Sequence, residues 1–214
     1  MSFLLDNIRR FVLILAVLFA LALFYISGAS GASLAGWGEL GRLYARTAVI
    51  LIYVTLLATP LTQQFPNLPY RILYIKARRA IGISAFFYGL MHGAISFFIV
   101  LGGWSGITQL PRLALFAIGA STTALLILAL LAATSFDYMV RRLGTRWKIL
   151  HRFVYLAGAL IIFHAVVMGD LSFMYLPLAV LFVLETLRFI RYVQRRRSLK
   201  AQKSTYRNPA DLGL

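Results

Sequence analysis

Six continuous apolar runs, each closed by polar punctuation, constrain this chain more than any other feature: Phe11 to Ile26, Leu43 to Leu61, Ile81 to Leu101, Leu113 to Thr134, Ile149 to Met168 and Phe173 to Ile190. Each has roughly the 20-residue length of a helix that crosses a hydrocarbon core. In lipid every backbone N–H and C=O must be paired inside the protein, which leaves only helices and closed barrels. Barrel strands alternate polar and apolar residues, and these runs do not. The expected fold class is therefore all-α, a polytopic membrane protein with a six-transmembrane-helix bundle over 1–197. A basic tail, 198–214, is expected to be disordered and to touch anionic lipid. With 61% of its 214 residues hydrophobic, the chain leaves no room between its spans for a separate catalytic domain.

The basic residues decide orientation. Arg9 and Arg10 precede the first run. Arg71, Lys76, Arg78 and Arg79 lie between the second and third, and Arg141, Arg142, Arg146, Lys148 and Arg152 around the start of the fifth. The remainder lie at the end of the sixth and beyond it, from Arg188 onward. Of 22 Lys and Arg residues only Arg42, Arg46 and Arg112 fall on the alternate side. The positive-inside rule then puts both termini in the cytoplasm. The basic excess is a topology signal, so nucleic-acid binding is not expected. Arg9-Arg10, the first run and the small residues Ser27-Gly28-Ala29-Ser30-Gly31-Ala32 also resemble a cleavable secretory signal. Against cleavage, that run exceeds the usual length of about 7–15 residues, and Phe24 with Tyr25 suits the aromatic belt of a retained helix.

Cysteine is absent, which removes disulfides, thiolate metal sites, iron–sulfur clusters, covalently attached haem and a thiol nucleophile. The six acidic residues, Asp6, Glu39, Asp137, Asp170, Glu185 and Asp211, offer no local carboxylate pair. Glu185 and Arg188, spaced i and i+3, are expected to pair. Gly102-Gly103-Trp104-Ser105-Gly106 lacks the strand and the Lys-Ser/Thr of a nucleotide loop.

The three histidines carry the chemistry. Ionisable residues inside a span are costly and mark function by default, although a lone membrane histidine can also be a satisfied contact between helices. His92 lies in the third run, His151 at the start of the fifth and His164 further along it. At 1.5 Å per residue, His92 stands about 17 Å and His164 about 22 Å from the inner edge, both in the outer half. Two imidazoles at matched depth on antiparallel helices suit axial ligation of a b-type haem. His151 falls about 20 Å from His164 along the axis, at the depth of a second redox centre. In one ideal helix those two histidines stand some 140° apart, so they do not share a face.

Arg46-Thr47-Ala48, Ala58-Thr59-Pro60-Leu61, Arg78-Arg79-Ala80-Ile81-Gly82 and Phe86-Phe87-Tyr88-Gly89-Leu90-Met91-His92 form one series of motifs. Thr134-Ser135, the stretch from Arg141-Arg142-Leu143-Gly144 through Trp147, Leu150-His151 and Val154-Tyr155-Leu156, and His164 continue it. Together, from about residue 40 to residue 170, they resemble the MsrQ family. These are the haem-binding membrane subunits of periplasmic methionine sulfoxide reductase systems, within the ferric-reductase-like transmembrane group.

The resemblance implies an electron carrier fed by quinol or a flavin, FMN among them, through the quinone pool or a cytoplasmic flavin reductase. Its acceptor would be a periplasmic molybdopterin subunit, MsrP, that repairs oxidised methionine. It implies haem b, one or two, with His92 and His164 as outer ligands and His151 as the third family histidine. The wider group places a further histidine where this chain has Arg78, beside Arg79, so a bis-histidine inner haem is in question. Arg46 suits a haem propionate or, equally, a headgroup reached by snorkelling, and Trp147 an interfacial anchor or part of an electron path. A stand-alone ferric or other metal reductase of the same architecture, and a non-redox scaffold or small transporter with structural histidines, are the competing readings.

Overall fold

The computed structural model describes residues 2–168 and 174–206, with side chains described within 7–168 and 174–200. Among these residues the chain is helical throughout: α1 (Ser2–Ile26), α2 (Leu34–Gln64), α3 (Arg71–Ile95), α4 (Trp104–Ile107), α5 (Arg112–Ala133), α6 (Asp137–Leu143), α7 (Thr145–Leu150), α8 (Phe153–Met168) and α9 (Tyr175–Tyr206). Five stretches are long and apolar enough to cross a membrane: Asn7–Ile26, Leu34–Gln64, Arg71–Val100, Arg112–Ala133 and Thr145–Met168. The start of the sixth apolar run, Phe173, lies outside the described residues. Its described part is α9, whose apolar half carries Glu185, Arg188 and Arg191 and is not counted with the five. The outward faces match a lipid solvent, with Phe116 72% and Leu126 66% exposed, and the molecule is a multi-pass membrane protein.

Helices in lipid gain little from mutual apolar burial, so close approach through small side chains holds them. Ala85, Ala117 and Ala157 are completely buried at the contacts of α3, α5 and α8. α2 packs along α3, α1 lies against α3, α5 pairs with α8, and α9 lies on α2. Two cores result. One joins Ala20 and Leu23 of α1 to Leu40, Tyr44 and Ala48 of α2 and Tyr88 and Ile95 of α3. The other joins Ile52 and Leu56 of α2 to Ala85, Ala124, Leu128 and Ala157. Two tyrosines fasten α1: Tyr44 donates to the Ala20 carbonyl at 3.1 Å and Tyr88 to the Ala16 carbonyl at 2.6 Å. The candidate signal segment is thus built into the first of these cores.

Two boundaries differ from the sequence reading. The fifth run is not one helix: α7 ends at Leu150, His151 and Arg152 form a turn, and α8 starts at Phe153. There Val154 N bonds the His151 carbonyl and Tyr155 N the Arg152 carbonyl, so the ladder tightens from four-residue to three-residue steps. The separation of 140° computed for a continuous helix therefore does not apply. At the other end, the tail expected to be disordered from 198 continues α9 to Tyr206, and 207–214 lie outside the described residues. Upstream, Gly144 adopts φ 53 between α6 and α7, a left-handed turn that a side chain would strain.

Candidate functional site

α3 and α8 bring His92 and His164 together, one ring edge-on to the other. Their ring centres are 6.4 Å apart with planes at 68°. Each ring is held from a neighbouring helix: His92 Nδ1 lies 2.9 Å from the Gly41 carbonyl of α2, and His164 Nδ1 lies 3.0 Å from the Ala117 carbonyl of α5. A carbonyl only accepts, so in both rings Nδ1 donates and the Nε2 lone pair is left for a ligand. α2 and α3 lie close at Gly41, where a Cβ would stand in ordinary contact, 3.4 Å from Ile95 Cγ2 and 4.0 Å from His92 Nδ1. A π-helical turn, 96–100, follows one turn after His92, with Leu101 N bonding the Ser96 carbonyl at 2.9 Å. Such turns recur at functional sites.

This donor set fits haem. Among the described residues no group of three or more His, Cys, Asp or Glu side chains converges as a cage for a bare metal ion. A macrocycle that brings four nitrogens of its own asks only two axial ligands of the protein. Metal–imidazole bonds of about 2 Å on either side of a plane set the rings roughly 6 Å apart centre to centre, the separation observed here.

His151 sits in a different setting at the basic end of the bundle. Its ring stacks on Trp147, centres 3.9 Å apart and planes at 28°. Nδ1 lies 3.1 Å from the Trp147 carbonyl and Nε2 3.4 Å from Ser135 Oγ. Trp147 in turn donates to the Thr134 carbonyl at 2.9 Å, tying α7 to the end of α5. Arg79 donates to the Ser135 carbonyl at 3.2 Å and pairs with Asp137 at 2.7 Å, and Arg9 meets the other oxygen of Asp137 at 2.7 Å. These hydrogen bonds, first from Arg9 and then from Arg79, hold the Asp137 carboxyl below the usual carboxylate range. Arg78 donates to Thr59 Oγ1 at 3.0 Å, and both arginines lie within electrostatic range of His151.

Of the residues singled out from sequence, the structure brings His92 and His164 together at one site and gathers His151, Arg78 and Arg79 at another. Arg46 lies on the exposed side of α2, five residues past Gly41. The expected Glu185–Arg188 pair is present at 3.2 Å. Gly41, Ala117, Ser135 and Asp137 were not anticipated as supports. The first two act through backbone carbonyls, which leave no residue-type signal.

Residues 43–162 match the family described as the ferric reductase like transmembrane component. This match includes His92 and His151 and ends two residues before His164. The chain is 36% identical over 146 residues to the protein-methionine-sulfoxide reductase heme-binding subunit MsrQ of Rhodospirillum rubrum, covering 62% of this chain and 68% of that protein. The subunit of the same name from Cronobacter sakazakii is 35% identical over 126 residues, 56% of this chain and 58% of its own length. That of Agrobacterium fabrum is 32% identical over 148 residues, 67% and 64%. The chain thus spans about half to two thirds of the length of the relatives it matches. No solved structure matches. With over half its length inside the family match and its curated relatives sharing one description, the chain belongs to the ferric reductase-like transmembrane proteins and, among them, to the MsrQ family.

Proposed function

We propose that this protein is a b-type haem electron-transfer subunit of the bacterial inner membrane, an oxidoreductase component whose catalytic partner is a periplasmic molybdopterin methionine sulfoxide reductase of the MsrP kind. The observation that carries this reading is the close pair of imidazoles, His92 and His164, each with Nδ1 committed to a neighbouring helix, which leaves Nε2 as the ligating atom. The haem, when bound, supplies a reversible one-electron site. The protein's part is to hold it: the Gly41 and Ala117 carbonyls fix both rings and raise their basicity, and Arg46 suits a propionate.

Six spans with both termini cytoplasmic put the imidazole pair in the outer half of the membrane and His151 on the donor side. In support, the N-terminal flank, the start of α3 and the start of α6 meet at one end through Arg9, Arg79 and Asp137. Electrons arrive there from quinol or from a flavin such as FMN served by a cytoplasmic reductase. His151, Arg78 and Arg79 present the positive field that a flavin phosphate or a second, inner haem propionate requires.

The test is spectroscopic. Detergent-purified protein should show a Soret band that shifts reversibly on reduction, and the reduced form should reoxidise when the periplasmic partner and a methionine sulfoxide are added together. A purified, folded protein without a Soret band would overturn the reading.

A further inference from the structure

The two rings of the imidazole pair are not held alike. His164 Nδ1 meets one acceptor, the Ala117 carbonyl at 3.0 Å. His92 Nδ1 meets two: the Gly41 carbonyl at 2.9 Å and, by a longer contact within its own helix, Ser96 Oγ at 3.5 Å. Ser96 stands one turn past His92, where side chains four residues apart share a face. The residue in the same place after His164 is Met168, whose thioether is only a weak acceptor. Most hydroxyls of α2 and α3 bond the carbonyl one turn back, as Thr47 does to Leu43, Thr55 to Leu51 and Ser84 to Ala80. Ser96 Oγ meets the ring nitrogen instead. Its main chain returns to the same histidine, because Ser96 N donates to the carbonyls of His92 and Gly93. The π-helical turn holds Ser96 from the other side: its carbonyl accepts from Leu101 N at 2.9 Å, and that of Phe97 accepts from Gly103 N at 2.7 Å. The hydroxyl is thus fixed between His92 and a closed turn.

The Gly41 carbonyl only accepts, so the Nδ1 hydrogen is already on the ring and Ser96 Oγ can only share it, as one acceptor of a three-centre hydrogen bond. Each acceptor drawn to Nδ1–H makes the opposite nitrogen, Nε2, more basic. A more basic ligand stabilises ferric iron over ferrous, because the ferric ion carries the larger charge. We propose that Ser96 is a positioning residue that fixes the rotation of the His92 ring, makes His92 the stronger electron donor of the two ligands and lowers the potential at which the bound iron takes up an electron. The proposal rests on the haem reading above and names a residue that sets how readily the electron is passed on. One electron from the donor takes ferric iron to ferrous, and the acceptor removes it again. No proton moves, since the hydrogen stays on Nδ1 in both states.

The experiment is a potentiometric titration of the full, haem-loaded chain in lipid nanodiscs, with low-temperature EPR of the ferric state. Ser96→Ala should keep the wild-type Soret absorbance per protein, which also shows that it is folded. At a fixed potential its ratio of ferrous to ferric iron should rise roughly threefold, the scale of one weak hydrogen bond, which is about 30 mV at 59 mV per tenfold change. Its EPR signal should shift as well. Ser96→Thr, which keeps the hydroxyl, should return both readings to wild type, and Ser96→Cys, with a weaker acceptor of similar size, should fall between. Ser84→Ala removes a buried hydroxyl of the same helix that bonds the Ala80 carbonyl, and should change neither reading. Unaltered potential and EPR in both Ser96→Ala and Ser96→Cys, or an equal shift in Ser84→Ala, overturn the proposal and leave the haem reading standing. A wild type without a Soret band would instead overturn the haem reading.

Discussion

His92 and His164 send Nδ1 across to carbonyls of α2 and α5, whereas His151 sends its Nδ1 back to Trp147, four residues upstream in its own chain. The first arrangement makes the position of each ring a property of the bundle, because neither imidazole can shift unless two helices shift with it. The second makes it a property of one turn, and the second nitrogen, Nε2, meets the Ser135 hydroxyl. One end of the molecule is thus built to clamp a rigid group between fixed ligands. At the other, a ring lies beside exchangeable polar groups and arginines, as suits a mobile donor.

That contrast can be broken most directly at the paired rings. His92→Ala or His164→Ala should each remove most of the haem while the protein still inserts, as read by the Soret absorbance per protein. Undiminished haem in both variants would end the ligand assignment. His151→Ala should leave the haem largely bound and slow its reduction by the physiological donor, measured by stopped flow against a dithionite control. Loss of all haem there would show that the two environments share one centre, and unaltered reduction kinetics would remove His151 from the donor side.

Smaller changes sharpen the comparison. Gly41→Val pushes α2 off Ile95 and disturbs the carbonyl that holds His92, so haem retention should fall on the order of tenfold, the scale for lost support of a ligating histidine. A shifted low-temperature EPR signal would accompany it, whereas an unchanged signal would show that the Gly41 carbonyl does not set the ring. The smallest effect belongs to Asp137→Asn, because its two pairs are exposed and worth about 1 kcal/mol or less each. Its carboxyl is held below the unfolded value of about 3.9. The ion pairs therefore stabilise fully above that pH and are lost as pH falls toward the lower folded value. The difference in thermal stability between wild type and Asp137→Asn should be constant near neutrality, shrink as pH falls below about 3.9 and vanish only below the lower folded value. A difference that persists there would assign the effect to something other than the charge.

Much of this was legible in the sequence, because hydropathy and charge act along the chain. The apolar runs located the bundle, and His92 and His164 could be matched by depth from helical rise alone. Helix ends were less legible. α2 begins at Leu34, nine residues before its apolar run, because the Ser33 hydroxyl accepts from Gly36 N and starts the helix in a polar segment. The break at His151 was hidden because every residue around it tolerates a helix, and its turn is fixed by stacking and tertiary contacts of Trp147. The hydrogen bond from the Tyr155 hydroxyl to Glu185 was equally hidden, since it joins residues thirty positions apart on α8 and α9.

The turn at His151 and Arg152 also determines how the chain tolerates changes of length. A residue inserted in α7 would turn Trp147 and the groups before it, yet the irregular joint can absorb the offset before α8 begins. The same insertion within α8, ahead of His164, would swing that imidazole by about 100° around the helix and carry it away from its partner. The joint lets the two ends of the molecule be edited separately: loops and contacts at the basic end can lengthen or shorten while the geometry between His92 and His164 stays in register.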